Sequence, residues 1–259
     1  MRYIAGFCAC LALVAVEASA QGVAVPGAGF DNMHILTPNP AETRAWYIAH
    51  LGAVASPTAG MAYLGRTLVV FLKNDKAQPS TGSVIDHLGL SFADADAKIK
   101  ELEAAGAKVI LPVKELPGVF KAGFIQDPWG VKIEVLQDSD LPGLHHLHLR
   151  VQDPQATLQW FQQMMGGERS KLKGRIEGLR YGPMWLLVAD SGGEATAPSA
   201  DRAIQHIAWR VPNIDEATTT LIGRGLTIGA SRPYEDVRFA ILEAPSGVRV
   251  EIIQRPQQP

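Results

Sequence analysis

The chain has 259 residues, with 24 Lys and Arg against 26 Asp and Glu, for a formal net charge of −2. That near balance, with no basic run, argues against a nucleic-acid partner or an anionic membrane surface. The only cysteines, Cys8 and Cys10, lie in an N-terminal stretch that reads as an export signal. Arg2 supplies the positive start, residues 4–16 an apolar run, and Ala18-Ser19-Ala20 a small-residue cleavage site before Gln21. Residues 1–20 are therefore expected to be a removed signal peptide, and the protein to be secreted or periplasmic. The mature chain then has no disulfide and no thiolate ligand, so any metal must sit on His and carboxylate groups.

Four strand-like runs follow in chain order, starting near His34, His87, His146 and His206. Each leads into a helix signal. Asn39 with Pro40, Asp94, Asp153 with Pro154, and Asn213 are N-cap residues, and Gly106 and Gly166-Gly167 are stops. Short alternating runs come next, such as residues 67–73, 120–126 and 184–188, and read as antiparallel strands. The unit is β-α-β-β-β, four times over. Matching Trp46-Tyr47 to Trp160-Phe161 places Pro40 on Pro154, Gly52 on Gly166, His34 on His148 and Asn32 on His146. Two homologous domains are expected, residues 28–138 and 143–255, joined by the turn-rich stretch Gln137 to Gly143. The loop from Asp190 to Asp201 reads as solvated and without chemistry.

Strand parity separates two environments. Leu147, Leu149 and Val151 share a face with His145, opposite His146, His148 and Arg150. Ile207, Trp209 and Val211 oppose His206, and Leu88, Leu90 and Phe92 oppose His87. On the terminal strands Glu134 and Glu251 stand opposite Val and Ile residues. The apolar faces should pack under the helices. The other faces carry imidazole and carboxylate, which suits a cleft with N,N,O ligands for a divalent transition metal: Fe(II), Mn, Zn or Co. His145 and His50 read as structural.

The helix-leading strands together with Asp127-Pro-Trp-Gly130-Val-Lys-Ile-Glu134, and more loosely Ala244-Pro-Ser-Gly247-Val-Arg-Val-Glu251, resemble the vicinal oxygen chelate superfamily of glyoxalases, bleomycin resistance proteins and extradiol dioxygenases. The resemblance spans nearly all of the mature chain. It implies an α+β fold of tandem domains, each of two β-α-β-β-β units in a curved, mostly antiparallel sheet around a metal cleft. It further implies a principal metal site of His146, His206 and Glu251 in the second domain, with His148 as a general base or substrate-orienting group. A second site would comprise His34, His87 and Glu134. There the registered first-strand position is Asn32, so Asn32 as an oxygen ligand and a vestigial site both remain open.

The implied function is a metal-dependent lyase, isomerase or dioxygenase acting on a small oxygen-chelating substrate. The alternatives are a ring-cleaving extradiol dioxygenase and a non-enzymatic binding or resistance protein. A glutathione-dependent lyase is disfavoured, because residues 67–73 and 184–188 contain no acid. Ring cleavage lacks the tyrosine that the resemblance implies, its places being taken by Phe124 and Ile241. Arg150 and Arg210 could hold a substrate carboxylate or pair with cleft acids. The expected partner is a small molecule, with no nucleic acid, no membrane after signal cleavage, and a monomeric or homodimeric state.

Overall fold

The structure, a computed structural model, describes residues 24–256; the expected signal peptide lies outside the described residues. The first unit comprises β1 (Gly29–Thr37), α1 (Pro40–His50), β2 (Val54–Ala55), β3 (Met61–Leu64) and β4 (Thr67–Lys73). The second comprises β5 (Ile85–Ser91), α2 (Ala95–Ala104), β6 (Lys108–Leu116), β7 (Phe120–Gln126) and β8 (Lys132–Gln137). The third runs β9 (Gly143–Val151), α3 (Pro154–Met165), β10 (Glu168–Leu172), β11 (Ile176–Tyr181) and β12 (Met184–Asp190). The fourth runs β13 (Ile204–Arg210), α4 (Ile214–Gly223), β14 (Arg232–Tyr234), β15 (Val237–Ala244) and β16 (Val248–Gln254). All four helices start where the side-chain chemistry puts them. The oxygens of Asn39, Asp94, Asp153 and Asn213 accept from first-turn N–H groups that the helix leaves unpaired.

The units assemble across the halves. Sheet I has the order β14-β15-β16-β13-β1-β4-β3-β2, and sheet II the order β10-β11-β12-β9-β5-β8-β7-β6. Within each, the first strand of a unit pairs in parallel with that unit's last strand, and all other pairings are antiparallel. The first unit therefore shares a sheet with the fourth, and the second with the third. This corrects the expectation that each half closes its own sheet. Every unit begins with a strand whose outer edge must be covered, and four similar units offer similar edges. Sequence pattern alone does not choose among them.

One core holds the two sheets together. Met33, Ile35, Leu88, Leu90, Ile133, Leu147, Leu149, Ile207, Trp209 and Val250 are buried in a single apolar cluster. The helices contribute Tyr47, Ile99, Leu102, Phe161 and Leu221 to the same cluster. The opposite face of each sheet carries the histidines and glutamates together with further apolar side chains. The loop from Asp190 to Asp201 is better anchored than its composition implied. Ser191 and Ser199 are buried, and Ala197 exchanges backbone hydrogen bonds with Gly82 and Val84.

Four β-bulges lie where the units meet. The antiparallel register of β1 with β13 skips Asp31 and Gln205, and that of β5 with β9 skips Asp86 and His145. A bulge breaks strict alternation, and in each case the skipped residue hydrogen-bonds the side chain that follows it. His145 is thus removed from the apolar face assigned to it by parity. Leu144 packs against the core instead.

Candidate metal centres

Sheet II brings together His87 from β5, Glu134 from β8, and His146 and His148 from β9. The His146 Nε2 lies 3.0 Å from Glu134 Oε2 and 3.3 Å from His87 Nε2, and His87 Nε2 lies 3.4 Å from the same carboxylate oxygen. The bulge residues fix the rings. His87 Nδ1 donates to Asp86 Oδ1 at 2.7 Å. His145 Nε2 faces Asp138 Oδ2 at 3.3 Å, and its Nδ1 faces His146 Nδ1 at 2.8 Å. With the protons on the outer nitrogens, both inner Nε2 atoms present lone pairs to one point. Metal-binding histidines are oriented in this way by their outer partners.

The charges set proton and metal in competition for these nitrogens. Burial alone would raise the Glu134 pKa, but His146 and His87 hold it well below the usual carboxylate range. Burial opposes protonation of His87, yet its bonds to Asp86 and Glu134 raise its pKa. His148, whose Nε2 has no partner, is kept neutral by burial and by the neighbouring imidazoles. Apolar side chains crowd this face. Phe124 meets the His87 ring edge-on, Phe120 meets His145, and Trp185 and Leu187 stand beside His146 and His148 in register. Phe120, Leu136, Leu172, Trp185 and Leu187 form a buried cluster here.

Sheet I brings together Asn32 and His34 from β1, His206 from β13 and Glu251 from β16. The ligand atoms of His34, His206 and Glu251 lie within 4.8 Å of one another, and the two imidazoles stand 3.8 Å apart between ring centres. His206 Nδ1 donates to Gln205 Oε1 at 3.0 Å, and Asn32 Nδ2 donates to Asp31 Oδ1 at 3.0 Å. The Glu251 Oε2 lies 3.4 Å from His206 Nε2, and Asn32 Oδ1, His34 Nδ1 and His206 Nε2 are buried without a hydrogen-bond partner. Such orphans are costly unless something occupies the space between them. Burial depresses the His206 pKa to about 3; burial together with the charge of His206 does the same for His34. Burial raises the Glu251 pKa against the opposing pull of His34 and Asn32. A cavity of about 500 Å³ opens directly onto these residues. Both donor sets, imidazole lone pairs beside a carboxylate, suit a divalent transition metal.

The groupings expected from the sequence do not form. His146 lies in sheet II, apart from His206 and Glu251 in sheet I, and His34 is likewise separated from His87 and Glu134. The cause is the exchange of units: β1 meets β13, and β5 meets β9. The correspondence of Asn32 with His146 and of His34 with His148 holds, because each pair takes the same place in its own sheet. His148 therefore belongs with His87 and His146, and its counterpart beside His206 is His34. Arg210 pairs with Asp31 at 2.8 Å and Arg150 with Glu194 at 3.5 Å, so both neutralise acids. Ile241 lies across from Glu251, and Phe124 across from Glu134. Sequence reasoning missed the bulge residues Asp31, Asp86 and Gln205. Their signal was a polar residue directly before each cleft residue.

Paired β-α-β-β-β units that place His and Glu on the open faces of two composite sheets define a class of metal-cleft proteins. The chain belongs to the Glyoxalase/Bleomycin resistance protein/Dioxygenase superfamily, whose family model matches residues 29–135 and 143–252. Among solved structures, glyoxalase I from Zea mays aligns with a TM-score of 0.69 at 17% identity, covering 88% of this chain and 92% of that one. A candidate dioxygenase from Bacillus subtilis aligns with a TM-score of 0.63 at 18% identity, covering 91% and 87%. At these identities the likeness establishes the fold. No curated protein sequence matches the chain.

Proposed function

We propose that the protein is an exported, divalent-metal-dependent enzyme, a lyase or isomerase, that works in the sheet I cavity on a small molecule offering two neighbouring oxygens. The observation that carries this reading is the set of orphaned acceptors, Asn32 Oδ1, His34 Nδ1 and His206 Nε2, beside Glu251 at the floor of that cavity. His206, Glu251 and Asn32 would hold the metal. When bound, it supplies Lewis acidity toward the substrate oxygens. His34, neutral and with a free nitrogen, is placed to take a proton from the carbon next to those oxygens. Gln205 fixes the His206 tautomer, and Asp31 fixes the Asn32 amide. The apolar walls from Leu68, Val70, Phe239 and Ile253 exclude water from the bound molecule.

The His87, His146 and Glu134 set is a second metal site in this reading, closed over by its apolar cluster and serving stability. A ring-cleaving dioxygenase is less favoured, since Ile241 and Phe124 offer no acid or base beside the two carboxylates. The test is cobalt loading followed by visible spectroscopy and metal analysis. Glu251→Gln and Glu134→Gln should each lose about one equivalent, and only Glu251→Gln should abolish the spectral response to a chelating ligand. His34→Ala should keep the metal and lose turnover. Full metal retention in Glu251→Gln, or a ligand response that depends on Glu134 instead, would sink the assignment. Intact-mass measurement of the exported protein should give a start at Gln21; retention of residues 1–20 would refute export.

A further inference from the structure

The two sheets are internal copies of one another, so each residue near one cluster has a counterpart near the other. Glu134 corresponds to Glu251, which places Lys132 on Arg249, two residues earlier on the last strand and on the same face. His87 corresponds to His206, which places Asp86 on Gln205. In sheet II the cation is fully engaged: Lys132 Nζ lies 2.6 Å from Asp86 Oδ1 and 4.8 Å over the ring of Phe124. In sheet I the acid has become an amide. Gln205 donates to Ala200 O and accepts from His206.

Arg249 is therefore left without the bulge acid that its counterpart has; Glu243 stands across from it in register on β15 but makes no ion pair with it. The Arg249 Nε is buried with no hydrogen-bond partner, and the side chain lines the cavity beside His34, His206 and Glu251. Of the other cations lining the cavity, Arg255 is engaged by Asp31 at 2.5 Å and Arg232 lies exposed on β14. A half-buried guanidinium that lines an apolar-walled cavity and makes no ion pair is a ready site for a planar anion, which it can grip with two parallel N–H donors.

We propose that the sheet I cavity takes a small carboxylate with an oxygen on the adjacent carbon, a 2-hydroxy or 2-oxo acid, and that Arg249 is the residue that selects the carboxylate. This rests on the reading of His206 and Glu251 as metal holders, because the second oxygen needs an electrophilic partner near the otherwise repelling Glu251. Arg249 then supplies the charge that distinguishes an acid from a neutral diol. The exchange of Asp86 for Gln205 is what frees it.

Calorimetric titration of the metal-loaded protein tests this with 2-hydroxybutyrate, butyrate and 1,2-butanediol. The hydroxy acid should bind most tightly. Arg249→Gln should weaken it by roughly tenfold to a hundredfold, the range for loss of a charge-assisted pair, while Arg249→Lys recovers part of the loss. Gln205→Glu retains Arg249 but restores the acid found in the other sheet, and should weaken binding comparably. Equal affinity in wild type, Arg249→Gln and Gln205→Glu would overturn the proposal, as would a diol that binds as tightly as the hydroxy acid. If the metal-loaded protein binds butyrate as tightly as hydroxybutyrate, chelator treatment changes neither affinity and Arg249→Gln weakens both, the carboxylate anchor stands and the metal reading falls.

Discussion

Gly89 on β5 lies directly opposite His146 on β9, and the geometry makes its substitution informative. A Cβ built on Gly89 would lie 2.7 Å from His146 Nε2 and closer still to Cε1 and Nδ1. The ring has little room to retreat, since Nδ1 is held by His145 and Nε2 stands between His87 and Glu134. Gly89→Ala should therefore displace His146 from the cluster. Overpacking of this kind costs about 1–3 kcal/mol, which for a chain of this length lowers Tm by roughly 2–10 °C. The corresponding pair in sheet I is Ala208 opposite Asn32. There the shorter amide leaves room for the methyl group. Asn32→His alone should clash in the same sense, and Asn32→His with Ala208→Gly should relieve it and build a second two-histidine site. Calorimetry and metal analysis of the three variants decide the matter. A Gly89→Ala protein with unchanged Tm and unchanged metal content would refute the reasoning, as would a double variant no more stable than Asn32→His.

A fragment beginning at Leu141 should not remain a folded monomer, because β9 loses β5 and β13 loses β1, baring the central edge of each sheet; a monomeric fragment with native near-UV circular dichroism would contradict the exchanged topology. The metal-free protein should become acid-labile. His34 and His206 have folded pKa values of about 3, below the unfolded value near 6.5, so the unfolded chain binds protons first. Stability is full above about pH 6.5 and declines as pH falls toward 3. Urea titrations across that range should show a smaller decline in His206→Gln, and parallel curves would argue against buried neutral imidazoles. Lys132→Met should remove one of the two partners of the buried Asp86 and leave it only His87, lowering stability by roughly 1.5–3 kcal/mol, the range for a hydrogen bond to a charged group; Lys132→Met with Asp86→Asn should recover part of it, and thermal unfolding of both reads the difference.

Much of the fold was legible in the sequence because it rests on local chemistry. Asn39, Asp94, Asp153 and Asn213 could only be read as caps, since each offers an oxygen to unpaired first-turn amides. Alternation on the strands separated Leu147 and Leu149 from His146 and His148, since side chains on a pleated strand must alternate. The four repeats, and the kinds of residue lining the clefts, followed from the same patterns. Alternation failed where a bulge intervenes, as at His145, because a bulge is set by the pairing of two distant strands. The partnership of His206 and Glu251 with His34, and of His87 and Glu134 with His146, was decided by tertiary structure alone. Each unit's first strand needs a neighbour along its open edge, four nearly equivalent units can supply one, and only the packing of both sheets around one shared core determines which pair meets.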